Sequence, residues 1–497
     1  MIKSEIRDSI GEVEYRMRKT KIVCTLGPSS NSKSAIEALM NTGMNVARLN
    51  FSHGTHEEHH ETVELVKKAR ENLGLPVAIM LDTKGPEIRL KKFKDGKVVL
   101  KEGDIFTLTS REIEGNENEV SISYSDLPHQ LKPGNAILID DGNIELRVTE
   151  TSDTDIKCDV VRGGKVSNRK SINIPSVSIK MPFMSDADKS DLLFGIENDV
   201  DFIAASFTRT KDDVIAMRKF LDYNGGHDIK IISKIENFEG VENFEEILKY
   251  ADGIMVARGD MGVEVDYYLL PGIQKRFIKE CYKSGKMVIT ATQMLESMIE
   301  NENPTRAEIS DVANAVFDGT SAVMLSGETA MGAHPITAVK VMAKITEQAE
   351  KDAFEMGYYR DVKYEMDEKD RTNAVCDAAC TLARDIKAKA IIALTKFGYT
   401  ARRMSKFRPE EPIVAATPVE KTYNQLSLSW GVFPVLAKYQ NTVDELFIHA
   451  IDCAKQIDLV ENGDAVVIAG GIPLDTPGST NTLKVQAVGD RVIWDRK

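Results

Sequence analysis

Charged side chains follow two successive apolar runs of this sequence, at the point where each run ends. Lys234 and Glu236 close the run KIISKIE, and Asp260 stands just after the next run, GIMVARG. Mg²⁺ in proteins commonly takes one or two carboxylates and completes its octahedron with substrate oxygens and water. A lysine beside them can neutralise the charge of a phosphoryl group. The combination predicts a Mg²⁺ site that binds a phosphorylated anion.

Other apolar runs of the same kind also end in polar side chains. Catalytic groups of a β/α barrel lie at the C-terminal ends of its strands, whereas polar groups within a strand would be buried away from water. We therefore expect these side chains to meet at one end of a barrel. They are Arg48, Asn50 and Ser52 after the second run, Asp82, Thr83 and Lys84 after the third, Thr292 after the seventh, and Ser326 and Glu328 after the eighth.

Taken singly, these residues have structural explanations too. Lys234 and Glu236 are two apart on one strand, so they point to one face and are equally well explained as a structural ion pair. Gly259 and Gly262 allow a turn around Asp260 whose backbone N–H groups converge on an anion, but turn glycines are common. A functional site is favoured because polar and charged residues occur together at the ends of several apolar runs.

The segment 56–60, HEEHH, matches the HExxH pattern of zinc proteases at a helix start. It lies in a charged, solvated stretch without an evident third ligand, so we expect no metal there. His53, directly after Ser52, is the better candidate for a functional histidine, as a nucleotide contact.

The apolar runs predict the strands of a (β/α)8 barrel, an α/β fold. They are rich in Val, Ile and Ala, which is typical of parallel strands buried on both faces, and helical stretches closed by glycine separate them. The runs are KIVCTLG (21–27), VARLNFS (46–52), VAIMLDT (77–83), FIAASF (202–207), KIISKIE (230–236), GIMVARG (253–259), MVITATQ (287–293) and SAVMLSG (321–327).

Two further units accompany the barrel. Segment 86–175 alternates in short runs with turn signals and predicts an inserted small β-barrel lid at the catalytic end. Residues 370–497 alternate five strands with helices, including 373–387, 419–428 and 443–456, and predict a compact α/β domain. The barrel then comprises 1–85 and 176–355.

Composition excludes several function classes. The net charge of −13 leaves no basic excess for nucleic acid or anionic membranes. No apolar run approaches ~18 residues, so we expect no membrane segment. The six cysteines are scattered without a CxxC pair, which indicates buried, reduced thiols and a cytoplasmic enzyme.

Six segments together resemble the signature segments of the pyruvate kinase family, in the family's order, and the resemblance spans about residues 20 to 490. They are RLNFSHG (48–54), LDTKGPEIR (81–89), SKIEN (233–237), ARGDMG (257–262), ATQMLESM (291–298) and SGETA (326–330). The resemblance implies glycolytic transfer of phosphate from phosphoenolpyruvate to ADP, and a barrel with a β lid and a C-terminal regulatory α/β domain.

The resemblance also implies a role for each site residue. Glu236 and Asp260 would bind Mg²⁺ or Mn²⁺, and Lys234 would stabilise the transferring phosphoryl group. Gly259, Asp260 and Thr292 would hold the substrate carboxylate, with Arg48 on its phosphate. Thr292 would assist protonation of the enolate through water, with Ser326 and Glu328 behind it. The K⁺ ligands would be Asn50, Ser52, Asp82 and Thr83, and the nucleotide contacts His53, Arg89 and Lys170.

Two positions depart from the family pattern. Ala187 stands where members often carry a lysine that contacts nucleotide, and Lys189 is a possible substitute. In the C-terminal domain, Phe397 stands where relatives regulated by fructose bisphosphate carry a small hydroxyl residue. We therefore expect a smaller sugar phosphate or a nucleoside monophosphate as effector, and by resemblance a homotetramer.

The proposed effector site rests on helix-terminus chemistry. Residues 396–400 precede a helix whose first turns carry Arg402 and Arg403, and free N–H groups there favour an anion. The loop 470–482, with Ser479, Thr480 and Thr482, would close over Lys396, Gly398 and Thr400. A solvated helix cap is the alternative explanation.

Two other functions also fit part of this sequence. A Mg²⁺-dependent pyruvate-type aldolase or phosphoenolpyruvate mutase also uses a barrel with acidic metal ligands, but it lacks the β insertion and the C-terminal domain. A non-catalytic metabolite sensor would be expected to lose Lys234, Glu236, Asp260 or Thr292, and all four are present.

Overall fold

The computed structural model describes residues 17–175, 177–359, 370–472 and 480–490. Eight of its strands, numbered in chain order, form the barrel: β1 (Lys21–Thr25), β2 (Val46–Asn50), β3 (Ala78–Asp82), β13 (Phe202–Ala205), β14 (Lys230–Ile235), β15 (Gly253–Ala257), β16 (Met287–Ala291) and β17 (Ala322–Leu325). All pair in parallel and close in the order β1-β17-β16-β15-β14-β13-β3-β2. Almost every residue in them is buried, which explains their apolar composition.

Helices surround the barrel and begin at residues suited to cap them. Thr55 and Thr305 each accept a backbone N–H from a glutamate three residues later, whose side chain bonds back to the threonine N–H. The helices of this domain are Lys33–Thr42, His56–Leu73, Asp186–Glu197, Lys211–Tyr223, Phe238–Glu242, Phe244–Tyr250, Arg258–Glu264, Leu270–Lys283, Arg306–Phe317, Gly327–Ala330 and Pro335–Met356, with 3₁₀ turns at Tyr267–Leu269 and Glu296–Ile299.

The strand register aligns the C-terminal ends of the strands. Asn50 pairs with Asp82, and Asp82 in turn pairs with Ala204, so the last residues of β2 and β3 stand at one level. Lys234 pairs with Met255 on the next strand. Polar side chains that close separate runs of sequence therefore meet at one mouth.

The inserted domain lies between β3 and β13 and has its own hydrophobic core. Its strands are β4 (Ile88–Arg89), β5 (Lys97–Leu100), β6 (Ile105–Thr109), β7 (Glu119–Ser121), β8 (Ala136–Ile139), β9 (Ile144–Thr151), β10 (Asp155–Arg162), β11 (Gly164–Ser167) and β12 (Ser171–Asn173), with a short helix Leu127–Gln130. Seven of them form one sheet, and β5 pairs with β11. Gly85 joins this domain to β3 at φ +70°, where a Cβ would lie 2.9 Å from the backbone oxygen of Ser206. The junction therefore requires glycine.

The C-terminal domain is a five-stranded sheet in the order β20-β19-β18-β21-β22, with only β22 antiparallel to its neighbour. Its strands are β18 (Ala390–Leu394), β19 (Ile413–Thr417), β20 (Val432–Leu436), β21 (Ala465–Gly471) and β22 (Thr480–Ala487), and its helices Arg371–Asp385, Tyr399–Lys406, Glu420–Gln425 and Val443–Gln456. It contacts the N-terminal ends of the barrel strands: Lys21 Nζ donates to Val432 O at 2.8 Å, and Gln425 Nε2 donates to Asp228 O at 2.8 Å. The domain therefore packs on the base of the barrel, opposite the mouth.

The predicted fold class is confirmed: an eight-stranded barrel, an inserted β domain and a C-terminal α/β domain. The helix predicted at 419–428 ends earlier, since Glu420–Gln425 continues as a 3₁₀ turn, Leu426–Leu428. All six cysteines are buried and free, as predicted. Within the described residues, no helix is long and apolar enough to cross a membrane.

Candidate functional site

The ends of β2, β3 and β14 bring four buried charged side chains into direct contact. Asp82 accepts hydrogen bonds on both carboxylate oxygens, from Arg48 Nε at 2.6 Å and from Lys234 Nζ at 2.9 Å. Lys234 Nζ also lies 3.0 Å from Glu236 Oε1. All four residues are at most 8% exposed. Residues that the sequence separates by up to 188 positions thus form one charge network.

The network sets the charge of its members. Burial alone would lower the pKa of Lys234, but Asp82 and Glu236 outweigh that effect and raise this pKa above its ordinary value. For Asp82 burial has the opposite effect and would raise the pKa, but the charges of Arg48 and Lys234 outweigh it and hold this pKa below its usual range. Lys234 is therefore a permanent cation and Asp82 a permanent anion at neutral pH.

Glu236 and Asp260 form the acidic side of the site. Glu236 Oε2 accepts the backbone N–H of Phe207 at 2.6 Å. Burial raises the pKa of both carboxyls, and their mutual repulsion raises that of Glu236 further. Within the described part of the chain, no cluster of three or more His, Cys, Asp or Glu side chains could hold a metal. Both carboxyls keep a raised pKa although Lys234 acts to lower it, so the pair fits Mg²⁺, whose remaining ligands come from substrate and water.

Thr292 follows β16 in a conformation that β-branched residues rarely adopt. Its φ is +67°, and that of Gln293 is +54°, a strain of about 1–3 kcal/mol per residue. Arg258 Nη2 donates to Thr292 O at 2.7 Å, and the Gly259 N–H donates to Thr292 Oγ1 at 2.8 Å. These bonds hold the hydroxyl against the start of the helix Arg258–Glu264, beside Asp260.

Glu328 connects the loops after β16 and β17. Its carboxylate accepts the N–H groups of Ser326 at 2.7 Å and Leu295 at 3.1 Å. It is 1% exposed, and burial raises its pKa. Glu328 therefore fixes the backbone at Ser326 and couples it to the loop that carries Thr292.

The oxygen atoms expected to bind K⁺ lie on β2 and β3. Asn50 Oδ1 accepts the N–H of Ser52 at 3.2 Å, and Ser52 itself is exposed. Asp82 and Thr83 are 1% and 3% exposed. Asp82 already accepts hydrogen bonds from Arg48 and Lys234, with Ser206 Oγ 3.1 Å away, and a carboxylate offers about four lone-pair sites. Asp82 therefore keeps lone pairs that a monovalent cation could use.

Ser206 is a site residue that the sequence reasoning missed. Its hydroxyl donates to Thr83 O at 2.6 Å and accepts from Lys234 Nζ at 2.8 Å. It also lies 3.1 Å from Asp82 Oδ1. The signal was present, because Ser206 is the first polar residue after the apolar run FIAA, as at the other strand ends.

Of the residues expected to contact nucleotide, Arg89 and Lys170 lie on adjoining segments of the inserted domain, where the Leu90 N–H donates to Lys170 O at 2.9 Å. The side chain of His53 is exposed, and its carbonyl oxygen bonds to His59. Arg89 pairs with Glu87 at 2.7 Å, and Lys170 with Asp140 at 2.6 Å, both within the inserted domain. Lys189, the possible substitute at Ala187, pairs with Asp186 at 3.0 Å.

The inserted domain also touches the mouth of the barrel. Asn173 Nδ2 donates to Glu264 Oε1 at 2.9 Å, at the end of the helix that begins with Arg258. The HExxH histidines face elsewhere: His56 Nε2 bonds to Asp191 at 2.6 Å, and His60 Nδ1 to Asn198 at 2.7 Å.

Comparison with known proteins agrees with this geometry. Residues 17–339 match the family model described as pyruvate kinase, barrel domain, and residues 373–486 match the pyruvate kinase alpha/beta domain. The chain is 49% identical over 473 residues to a pyruvate kinase of Clostridium acetobutylicum, covering 95% of this chain and all of that protein. It is 46% identical to one of Staphylococcus haemolyticus, covering 96% of this chain and 81% of that protein. A crystal structure of a pyruvate kinase from Cryptosporidium parvum superposes with a TM-score of 0.89 at 38% identity, covering 98% of this chain and 99% of that one.

The charge network predicts how much stability the protein loses when Asp82, its central carboxylate, is made neutral. Asp82→Asn would remove the carboxylate to which both Arg48 and Lys234 donate. Because the two cations would stay buried without that partner, we expect a loss of about 3–5 kcal/mol in the free energy of unfolding. Urea unfolding of the barrel measures this loss. Glu145→Gln, which removes the surface partner of Arg147, is the control and should change stability by at most about 1 kcal/mol. Equal unfolding midpoints for both variants would contradict the assigned balance of charge.

Proposed function

This chain belongs to the pyruvate kinase family, and from that premise we propose how the mouth of its barrel transfers a phosphoryl group from phosphoenolpyruvate to ADP. The enzyme is a phosphotransferase of the pyruvate kinase type. The observation that carries the proposal is the rigid ammonium of Lys234. It lies between Asp82, Ser206 and Glu236, so its charge is present and oriented before the reaction begins.

Lys234 is the proposed electrostatic catalyst. The transferring phosphoryl group carries its charge on three equatorial oxygens, so catalysis depends on cations already in position. The two carboxylates beside Lys234 raise its pKa, so the ammonium loses no proton during turnover. Its contact with Asp82 also keeps it from moving toward solvent.

Glu236 and Asp260 are the proposed ligands of Mg²⁺ or Mn²⁺, with substrate oxygens and water as the other ligands. When bound, this cation supplies Lewis-acid neutralisation of the phosphoryl and enolate oxygens. The chain keeps one carboxylate oriented through the Phe207 N–H. Asp260 stands in the first turn of its helix.

Arg48, Gly259, Asp260 and Thr292 are the proposed contacts of phosphoenolpyruvate. Arg48 would contact the phosphate, while its Nη1 remains bonded to Thr25 Oγ1 at 2.8 Å. The backbone N–H groups at the start of the helix Arg258–Glu264 favour the substrate carboxylate. Because the Gly259 N–H donates to Thr292 Oγ1 in the free protein, the carboxylate would replace this hydroxyl as its acceptor.

Thr292, Ser326 and Glu328 are proposed to serve the second half of the reaction. Loss of the phosphoryl group leaves an enolate, whose methylene carbon must take a proton. A water held by the Thr292 hydroxyl is the proposed donor. Glu328 lies buried behind Ser326 with a raised pKa, so its carboxyl is suited to return a proton to that water after the methylene carbon has taken one.

Other residues at the mouth and in the inserted domain are proposed to bind K⁺ and ADP. Asn50, Ser52, Asp82 and Thr83 would bind K⁺, and His53, Arg89 and Lys170 would contact ADP as the inserted domain covers the mouth. Since Arg89 and Lys170 are already paired with acidic residues of that domain, nucleotide binding would exchange those partners. We propose a cytoplasmic homotetramer that functions in glycolysis.

The proposed effector site lies in the C-terminal domain. Thr400 and Thr480 hydroxyls are 2.7 Å apart and join the two loops expected to form it. Gly398 begins the helix at φ +78°, and Arg402 Nη2 donates to Phe397 O at 2.6 Å. Lys396 lies over the rings of Phe397 and Tyr439.

Two other residues of that proposal are engaged elsewhere. Arg403 Nη1 donates to Ser284 O of the barrel at 3.3 Å, and Thr482 bonds to Asn481. Ser479 lies outside the described residues. The site then depends on Lys396, Thr400 and Thr480 together with the free N–H groups of the helix start.

The first kinetic prediction concerns Lys234. Lys234→Ala should lower kcat by on the order of 10³ or more, because the ammonium neutralises charge that develops only as the phosphoryl group leaves. Steady-state assays of ADP-dependent pyruvate formation measure this, and KM for phosphoenolpyruvate should change far less. Lys230→Ala, on the same strand but paired with Asp252 at its other end, should retain kcat. An unchanged kcat with a raised KM in Lys234→Ala would show that the role is wrong.

The second concerns K⁺. Turnover should be activated by K⁺, and Glu87→Lys should reduce that dependence because the new ammonium supplies a cation of its own. Since Glu87 also pairs with Arg89, Glu87→Gln is the control: it breaks the pair without adding a cation and should remain dependent on K⁺. The measurement is turnover in K⁺ and in a tetramethylammonium buffer. Equal wild-type activity in both buffers would contradict the assignment.

The third concerns regulation. Phosphoenolpyruvate is titrated at fixed ADP with ribose 5-phosphate, glucose 6-phosphate, AMP or fructose 1,6-bisphosphate. We expect one of the smaller effectors to shift half-saturation by about 5–150-fold, the usual range of coupling, and Thr400→Ala to abolish the shift. Thr442→Ala removes a helix cap in the same domain and should keep it. A shift that persists in Thr400→Ala, or no shift at all, rejects this site.

A further inference from the structure

Arg258 joins two loops of the mouth that follow different strands. Its backbone begins the helix Arg258–Glu264, whose first turn carries Asp260. Its side chain crosses to the loop after β16, where Nη2 donates to Thr292 O at 2.7 Å and to Gln293 O at 3.2 Å. One guanidinium therefore sets the distance between the start of this helix and the turn at Thr292.

The guanidinium is itself held from outside the mouth. Its Nη1 lies 2.8 Å from Asp311 Oδ1 and 2.7 Å from Asp311 Oδ2. Asp311 belongs to the helix Arg306–Phe317, 53 positions further along the chain. We propose that Asp311 is a positioning residue of the substrate site, which acts through Arg258 on the hydroxyl of Thr292. This inference rests on the proposed phosphoryl transfer and adds to it a residue that contacts no reacting atom.

The shape of the guanidinium explains why one carboxylate controls the turn. The group is planar, and its N–H donors point in fixed directions. Because Nη1 is held by both oxygens of Asp311, Nη2 is aimed at the two carbonyls of the turn. Gln274 Oε1 lies 3.4 Å from Nη1, a weaker contact than a charged partner at 2.7 Å. Asp311 is therefore the partner that fixes the orientation of Arg258.

The turn needs this support because its backbone is strained. Two consecutive residues other than glycine have positive φ, +67° for Thr292 and +54° for Gln293, and such conformations persist only where their surroundings hold them. Both carbonyls accept from the same nitrogen of Arg258. If that donor turned away, the backbone would relax toward negative φ. The Thr292 hydroxyl would then leave its place 2.8 Å from the Gly259 N.

The alternative explanation of Asp311 is an ordinary ion pair near the surface. Its side chain is 35% exposed, and that of Arg258 is 12% exposed. An ion pair with this much access to solvent contributes little to the stability of a fold. The two explanations therefore predict different results. A positioning role changes the rate of the reaction, whereas a purely structural role changes only the free energy of unfolding.

Asp311→Ala tests the role in the complete protein. A displacement of about 1 Å at a reacting group can cost about 10²-fold in rate, so we expect kcat for ADP-dependent pyruvate formation to fall by about 10–100-fold. KM for ADP and the urea midpoint should stay close to the wild-type values.

A second variant and a control accompany it. Arg258→Lys keeps the positive charge but cannot reach Asp311 and both carbonyls at once, so it should lose kcat as well. Asp222→Ala removes a carboxylate that lies 3.4 Å from Arg218 on a helix away from the mouth, and it should retain kcat.

A partial reaction locates the effect at Thr292. In the reverse of the protonation step, a C–H bond of the pyruvate methyl group breaks, its proton passes to the water held by Thr292, and the enolate takes a deuteron from D₂O in return. Loss of the methyl proton signal measures this exchange, with Mg²⁺, K⁺ and inorganic phosphate in place of the transferring group. Asp311→Ala should slow the exchange. Adding Gln293→Gly should restore part of the rate, because glycine adopts positive φ without strain.

The failure of this inference is distinguishable from that of the proposed function. If Asp311→Ala matches Asp222→Ala in kcat and in exchange, in a protein that forms pyruvate from phosphoenolpyruvate and ADP, the inference alone is overturned. Slow exchange that Gln293→Gly does not restore overturns it too, because Asp311 then does not act through the turn. A wild-type protein that forms no pyruvate overturns the proposed function, and this inference with it.

Discussion

The hydrogen-bonded ion pairs of Asp82 with Arg48 and Lys234 are the interaction around which the mouth of the barrel is built. Removing charges from water is costly, and these groups are stable together only because each compensates another at 2.6–2.9 Å. The pairs hold two cations on one side of the mouth. Two further carboxylates, Glu236 and Asp260, lie on the other side, and they leave the mouth with one more negative than positive charge.

That excess of negative charge accounts for the separate roles proposed for the metal and for the cationic side chains at the mouth. A divalent cation on Glu236 and Asp260 would turn the net charge positive, which suits a substrate that carries both a phosphate and a carboxylate. The strained backbone at Thr292 and Phe207 belongs to the same arrangement, because it turns a hydroxyl and an N–H toward these groups.

The two additional domains act on opposite ends of the barrel. The inserted domain touches the mouth through Asn173 and Glu264, so it is suited to exclude water from the reaction. The C-terminal domain contacts the base, where Met287 begins β16 and Ser321 precedes β17. The other ends of these two strands lead to Thr292 and Ser326.

The sequence by itself determined the fold class and most of the mouth, because buried parallel strands must be apolar until they end and their polar ends must meet. It identified Lys234, Glu236 and Asp260 from that rule alone. It did not reveal Ser206, although this residue follows the same rule. Only the tertiary structure decided which partners share each charge, since Asp82 lies 152 residues from Lys234 and no local pattern records that distance. It alone also placed the C-terminal domain on the base of the barrel, where Lys21 Nζ donates to Val432 O at 2.8 Å, because no local pattern records a contact between residues 411 positions apart.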